Sequence, residues 1–148
     1  MRQKVAVLGL ALLAGLFAAC SDGMPDSEKG DVSGQFRYTG YDRQGTVVIR
    51  GTLDLNEDSG GLVNGRWNLQ AVGNPDRLGP QVGQGDAQGN VTTSSGGAAE
   101  LVLNLNPGWA DNNVFVYGQV RGSRIEGDWQ WSTLLGSVQS GTFVAERN

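Results

Sequence analysis

Apolar and polar residues alternate with a period of two through most of residues 31–148, and Gly, Asn and Asp interrupt the alternation at short intervals. A period of two sends successive side chains to opposite faces of an extended strand, so each run has one apolar face. The clearest runs are 31–39, 45–55, 61–71, 98–105, 113–121, 123–132 and 138–146, with a weaker one at 81–88. In 45–55, Val47, Ile49, Gly51, Leu53 and Leu55 oppose Val48, Arg50, Thr52 and Asp54. In 123–132, Ile125, Gly127, Trp129 and Trp131 oppose Glu126, Asp128 and Gln130. The joints fall at 42–45, 56–60, 90–97, 107–112 and 122–123, and are rich in Gly, Asn and Asp. Joints of hairpin length make sequential strands antiparallel neighbours.

The expected fold class is therefore all-β: a single small antiparallel up-and-down meander β-barrel of about eight strands. Closure would remove the open edges that invite aggregation. Whether 81–88 is a strand or a long loop decides whether the barrel closes. The residues on the outward faces include Arg50, Asp54, Arg66, Glu126 and Asp128. A barrel that crosses a membrane has apolar outward faces, so this pattern argues for a barrel in water.

Residues 61–67 (GLVNGRW) echo 123–129 (SRIEGDW): a branched aliphatic residue, then Gly, then Trp, at two-residue spacing. Glycine relieves crowding where a strand bends, and Trp fills the space beside it. Together with Gly141-Thr142-Phe143-Val144 near the end of the chain, this pattern resembles the small meander barrels of the calycin group, the avidin-like and lipocalin-like proteins. The resemblance implies the same fold. It carries over no binding residues, because no full ligand motif of those families is present.

Ahead of the alternating region lies a different kind of sequence. Arg2 and Lys4 precede residues 5–19, an uncharged apolar run that ends in Ala18-Ala19-Cys20-Ser21. The run is shorter than the roughly 20 residues a spanning helix needs. This is the layout of a secretory signal peptide, and it resembles a bacterial lipoprotein signal, with Phe17 in the place such signals usually give to Leu. The resemblance implies cleavage of residues 1–19 and acylation of Cys20 on its sulfur and its new N-terminus, which holds the protein to a membrane. It also implies the outer membrane of the cell envelope, on its periplasmic or surface face, because Ser21 rather than Asp follows the cysteine. Residues 20–30 would then be the lipidated cysteine and a polar tether, and 31–148 the barrel domain.

Cleavage removes Arg2 and Lys4 and leaves nine Lys and Arg against fifteen Asp and Glu. That acidic balance argues against nucleic acid as a partner. The chain has no histidine, and its one cysteine is Cys20. Ser-His-Asp and Cys-His nucleophilic sites and histidine-ligated metals are thereby excluded. The remaining lysine, Lys29, lies in the tether, so Schiff-base chemistry within the domain is excluded as well. No cofactor or metal is implied, and the expectation is a protein that is not an enzyme.

The candidate ligand-binding residues are Trp67, Trp109, Asn112, Trp129 and Trp131. Trp67, Trp129 and Trp131 fall on the inferred interior face, where they either line a mouth or simply fill the core. Trp109 stands on a joint among Asn104, Asn106, Asn112, Asn113 and Asp111. Amides beside an indole suit a hydroxyl-rich ligand, and they are also ordinary turn residues. Asp54, Asn56 and Asp58 have the first three spacings of a calcium loop, but Ser59 and Gly65 occupy places where it needs Gly and Glu. Glu126 and Asp128 share one strand face about 6–7 Å apart, a separation open to paired-carboxylate hydrolysis, on a face read as solvated. Two functions remain. In one, the barrel holds a small apolar or amphiphilic ligand in a Trp-lined mouth. In the other, it is a platform contacting another envelope protein or a polysaccharide.

Overall fold

A computed structural model describes residues 31–148 apart from 95 and 96. The signal, Cys20 and the tether lie outside the described residues. Eight strands follow in order: β1 (Gly34–Tyr41), β2 (Val47–Glu57), β3 (Leu62–Ala71), β4 (Gly83–Thr93), β5 (Ala99–Asn104), β6 (Asn112–Arg121), β7 (Arg124–Thr133) and β8 (Gly136–Arg147). Each pairs antiparallel with the next, and β8 returns to β1, where Phe36 faces Arg147 and Tyr41 faces Thr142. The barrel is closed. The connections 42–46, 72–82, 105–111 and 134–135 gather at one end, here termed upper. The other connections, with Asp31 and Asn148, gather at the lower end.

The weak stretch 81–88 is where the structure departs most from the sequence pattern. β4 starts two residues later and continues through residues 90–93, which the pattern had given to a joint. Its inward positions are Gly85, Ala87, Gly89 and Val91, too small to register as an apolar face. They are small because Trp67 needs the room: a Cβ on Gly85 would lie 2.7 Å from the Trp67 ring. β1 also starts later than expected, at Gly34, since the Asp31 carboxylate accepts from the Ser33 N–H and turns the chain. β8 is longer at both ends than 138–146.

Glycine also bends the wall. A Cβ at Gly51 would fall 2.0 Å from the Asn68 carbonyl oxygen, and one at Gly89 would fall 1.9 Å from that of Val102. No side chain fits such an approach, and kinks of this kind let a sheet curl tightly enough to close. Inside, Trp129, Tyr38, Phe36, Phe143, Ile49, Leu53, Leu69, Leu101, Leu103 and Ile125 are fully buried. Tyr38 stacks on Phe143 with ring centroids 5.4 Å apart. Outside, Arg50, Asp54, Arg66 and Asp128 are exposed. At the lower end Arg147 donates to the Asp31 carbonyl and lies 5.2 Å above the Phe36 ring, which seals that mouth.

Candidate functional site at the upper end of the barrel

Three tryptophans converge on the upper end, each tied by its indole N–H. Trp67 donates to the Leu105 carbonyl at 2.7 Å and to that of Asp86 at 3.2 Å. Trp129 donates to the Tyr41 carbonyl at 2.9 Å. Trp131 donates to Asn112 Oδ1 at 2.7 Å. Trp67 and Trp129 are buried in the core, whereas Trp131 is half-buried on the rim with its ring against Gly79. A buried indole without an acceptor would lose the free energy of that hydrogen bond, so these pairings fix both rings and loops. The three rings form the floor and rim of this end.

Trp109, by contrast, is 64 % exposed. Its loop is built by the amides around it. Asn104 Nδ2 donates to Asn113 Oδ1, and Asn104 Oδ1 accepts from the Asn106 N–H. Asn106 Nδ2 donates to the Asn112 carbonyl, and Asn113 Nδ2 to that of Trp109. Most of the amide capacity at this loop is thus directed into the loop itself. The Trp109 indole stands free above it. Thr133 pairs with Asn112, so the neighbouring turn brings exposed Leu134 and Leu135 alongside.

Residues 72–82 cover the mouth from the other side. Leu78 enters the hydrophobic core, and Gln81 is fully buried, its Nε2 donating to the Leu78 carbonyl at 2.7 Å. Gly79, at φ 69°, lies under the Trp131 ring, where a Cβ would be 2.5 Å from Cγ. Between this loop and the β1–β2 turn lies an open groove of about 470 Å³, with Val47, Val48, Val72, Pro75 and Leu78 on its apolar side and Asp42, Asp76 and Gln139 on its polar side. A second groove of about 450 Å³ runs along the outer wall and is lined mainly by polar side chains, among them Asp54, Arg66, Asn68 and Gln84.

Two buried side-chain atoms have no hydrogen-bond partner among the described residues: Tyr38 Oη and Gln81 Oε1. Tyr38 extends toward the upper end, with Oη beside Gly40. Burial pushes its phenol well above the usual tyrosine range, so it stays protonated. Tyr38, Leu78 and Gln81 escaped the sequence reading of the site. Tyr38 lay there only within the alternating run 31–39, and Gln81 stood at the start of the weak stretch 81–88, read as either a strand or a long loop.

Of the remaining candidates, Asp58 and Glu126 have structural partners. Asp58 Oδ1 accepts from the Gly60 and Leu62 N–H groups and shapes the β2–β3 turn. Glu126 bonds Arg124 at 2.8 Å, which holds its carboxyl below the ordinary value, and Arg124 also reaches Glu146 at 2.9 Å. Among the described residues no group of three His, Cys, Asp or Glu side chains is placed to hold a metal ion.

No protein-family profile and no curated protein matches the chain. Among solved structures it is similar to a redesigned beta barrel, at 16 % identity and a TM-score of 0.46, over 82 % of this chain and 94 % of that one.

Proposed function

We propose that the protein is a lipid-anchored binding protein of the cell envelope, held by acyl chains on Cys20, that takes a small apolar or amphiphilic molecule at the upper mouth of its barrel. The observation that carries this reading is the groove of about 470 Å³ between the β1–β2 turn and residues 72–82. Its volume and its mixture of aliphatic wall and polar edge suit a ligand with an apolar body and a polar tip. The tether joins the lower end at Asp31, which leaves the groove at the far end of the domain. The signal-like sequence before Cys20 supports the anchor, and Ser21 supports the outer membrane. The test is native mass spectrometry of the mature lipoprotein, released gently from the membranes of its own host. A reproducible extra mass lost on denaturation, beyond that of the acyl chains, is the expected result. A bare lipoprotein mass would count against a carried ligand. Labelled palmitate should enter the native chain and not Cys20→Ala; equal labelling would reject the anchor.

A second reading is favoured by Trp109, Leu134 and Leu135, three large apolar side chains exposed on adjacent connections. In that reading the same end docks another envelope protein or a polysaccharide. Crosslinking in intact cells that depends on Trp109 and Asn112 would support it.

A further inference from the structure

A tyrosine in a core differs from phenylalanine by one hydroxyl, and that hydroxyl is costly to bury unless something bonds it. Tyr38 is completely buried, stacks on Phe143 as a phenylalanine would, and leaves Oη without a partner. Tyr38 Oη points toward the upper end, beside Gly40, and the segment that covers that end carries the other unpartnered buried atom, Gln81 Oε1. That segment is weakly tied. Among the described residues its hydrogen bonds are Val72 N–H to the Val48 carbonyl and the internal contact between Gln81 and Leu78. Otherwise it is held by the Leu78 side chain in the core and by Gly79 against Trp131. A cover with so few hydrogen bonds to the barrel, and with unsatisfied polar atoms on it and in the core of the barrel it closes, is poised for exchange.

We propose that residues 72–82 are a displaceable plug, and that the molecule replacing Leu78 and Gln81 is small, uncharged and bonded through a single oxygen to Tyr38 Oη. This rests on reading the upper mouth as the ligand site, and it names the ligand class. The head must be neutral, because the buried lining offers no charge to pair with: the core is aliphatic and aromatic, with Gln81 its buried polar side chain. An ionised head would be stranded there. A carbonyl or hydroxyl oxygen instead accepts from the phenol, while a compact apolar body takes the space of the Leu78 side chain. Ketones, esters and alcohols of that bulk fit. Carboxylates and amines in their charged forms do not.

The probes are cyclohexanone and cyclohexanecarboxylate, added to the full-length protein at neutral pH and followed by tryptophan emission, since Trp129 and Trp131 stand at this end. Cyclohexanone should bind saturably. Tyr38→Phe should weaken it about tenfold, the loss expected for one buried hydrogen bond. Leu78→Ala should tighten it severalfold, because a looser plug raises the fraction of open protein. The carboxylate should not compete. Equal cyclohexanone affinity in all three proteins would overturn the plug and its Tyr38 contact. So would saturable binding of the carboxylate, or no cyclohexanone binding to any of the three. The mouth reading is judged separately, by the carried mass in native spectra. A Tyr38→Phe protein that melts several degrees lower and binds the probe unchanged would mean that trapped water already satisfies the hydroxyl, and would also overturn the proposal.

Discussion

Residues 105–111 and residues 72–82 close the same end of one barrel by opposite means. The first is laced to its surroundings: Leu105 N–H to the Val114 carbonyl, Trp67 Nε1 to the Leu105 carbonyl, and the side chains of Asn104, Asn106 and Asn113 bonding one another and the backbone. The second is longer and, among the described residues, has one backbone bond to the barrel, with Leu78 as its apolar anchor. Directional bonds specify a single conformation and give way cooperatively, whereas one apolar anchor leaves neighbouring arrangements close in energy. The loop richest in ligand-like side chains is thus the fixed one. The plainer loop is the one able to move.

The largest effect that would test this contrast comes from Trp67, which serves both the core and the laced loop. Trp67→Ala should cost about 3–5 kcal/mol in urea denaturation, by the measure of large core truncations. It should also raise amide exchange across 105–111, and a loss confined to stability would show that the loop is held without Trp67.

Gly79→Ala should act on the other side. The new methyl would strike the Trp131 ring, so the plug should lift and Trp131 emission should shift to the red. Global stability should fall by less than about 2 kcal/mol, because the loss is capped by the cost of opening the plug alone. A larger loss would mean that residues 72–82 unfold only with the barrel. Asn104→Ala removes two hydrogen bonds inside the laced loop, a loss of about 1–2 kcal/mol. Exchange should rise at 105–111 and stay unchanged at 72–82, and parallel changes would erase the distinction between the loops.

The smallest effect lies in the wall that both loops share. Arg124 lowers the Glu126 carboxyl, so the folded state holds that proton less tightly than the unfolded chain does. The contribution is present above the ordinary glutamate range and disappears as the pH falls through the lowered value. Glu126→Gln should slightly flatten the acid limb of a stability profile below about pH 4.5. An unchanged acid limb would remove the ion pair from the account.

The barrel was largely legible in the sequence, because each strand with large inward residues announces its own face. β4 did not, and the reason lies across the ladder: its small inward residues make sense only once Trp67 is seen against Gly85. The inward placement of Trp67 and Trp129 follows from their strands, while Trp131 departs from the interior expected of it because it ends its alternating run at the rim, beside a register shift. Around Trp109 the composition suited both a sugar site and a turn. Geometry shows which amides are engaged in the loop, something spacing alone does not encode. Leu78 had no periodic signal, and the weak alternation that began at Gln81 pointed to a strand it does not join, since a loop side chain becomes buried through the path of its backbone.

The seam between β1 and β8 has a consequence for how the molecule comes into being. Phe36 meets Arg147, and Tyr41 meets Thr142, across nearly the full length of the domain. A ribosome must therefore finish β8 before the first strand finds its second neighbour. Until then both outer strands of the growing meander stay unzipped. A truncation anywhere before β8 would leave a sheet with two sticky margins in place of a sealed cylinder.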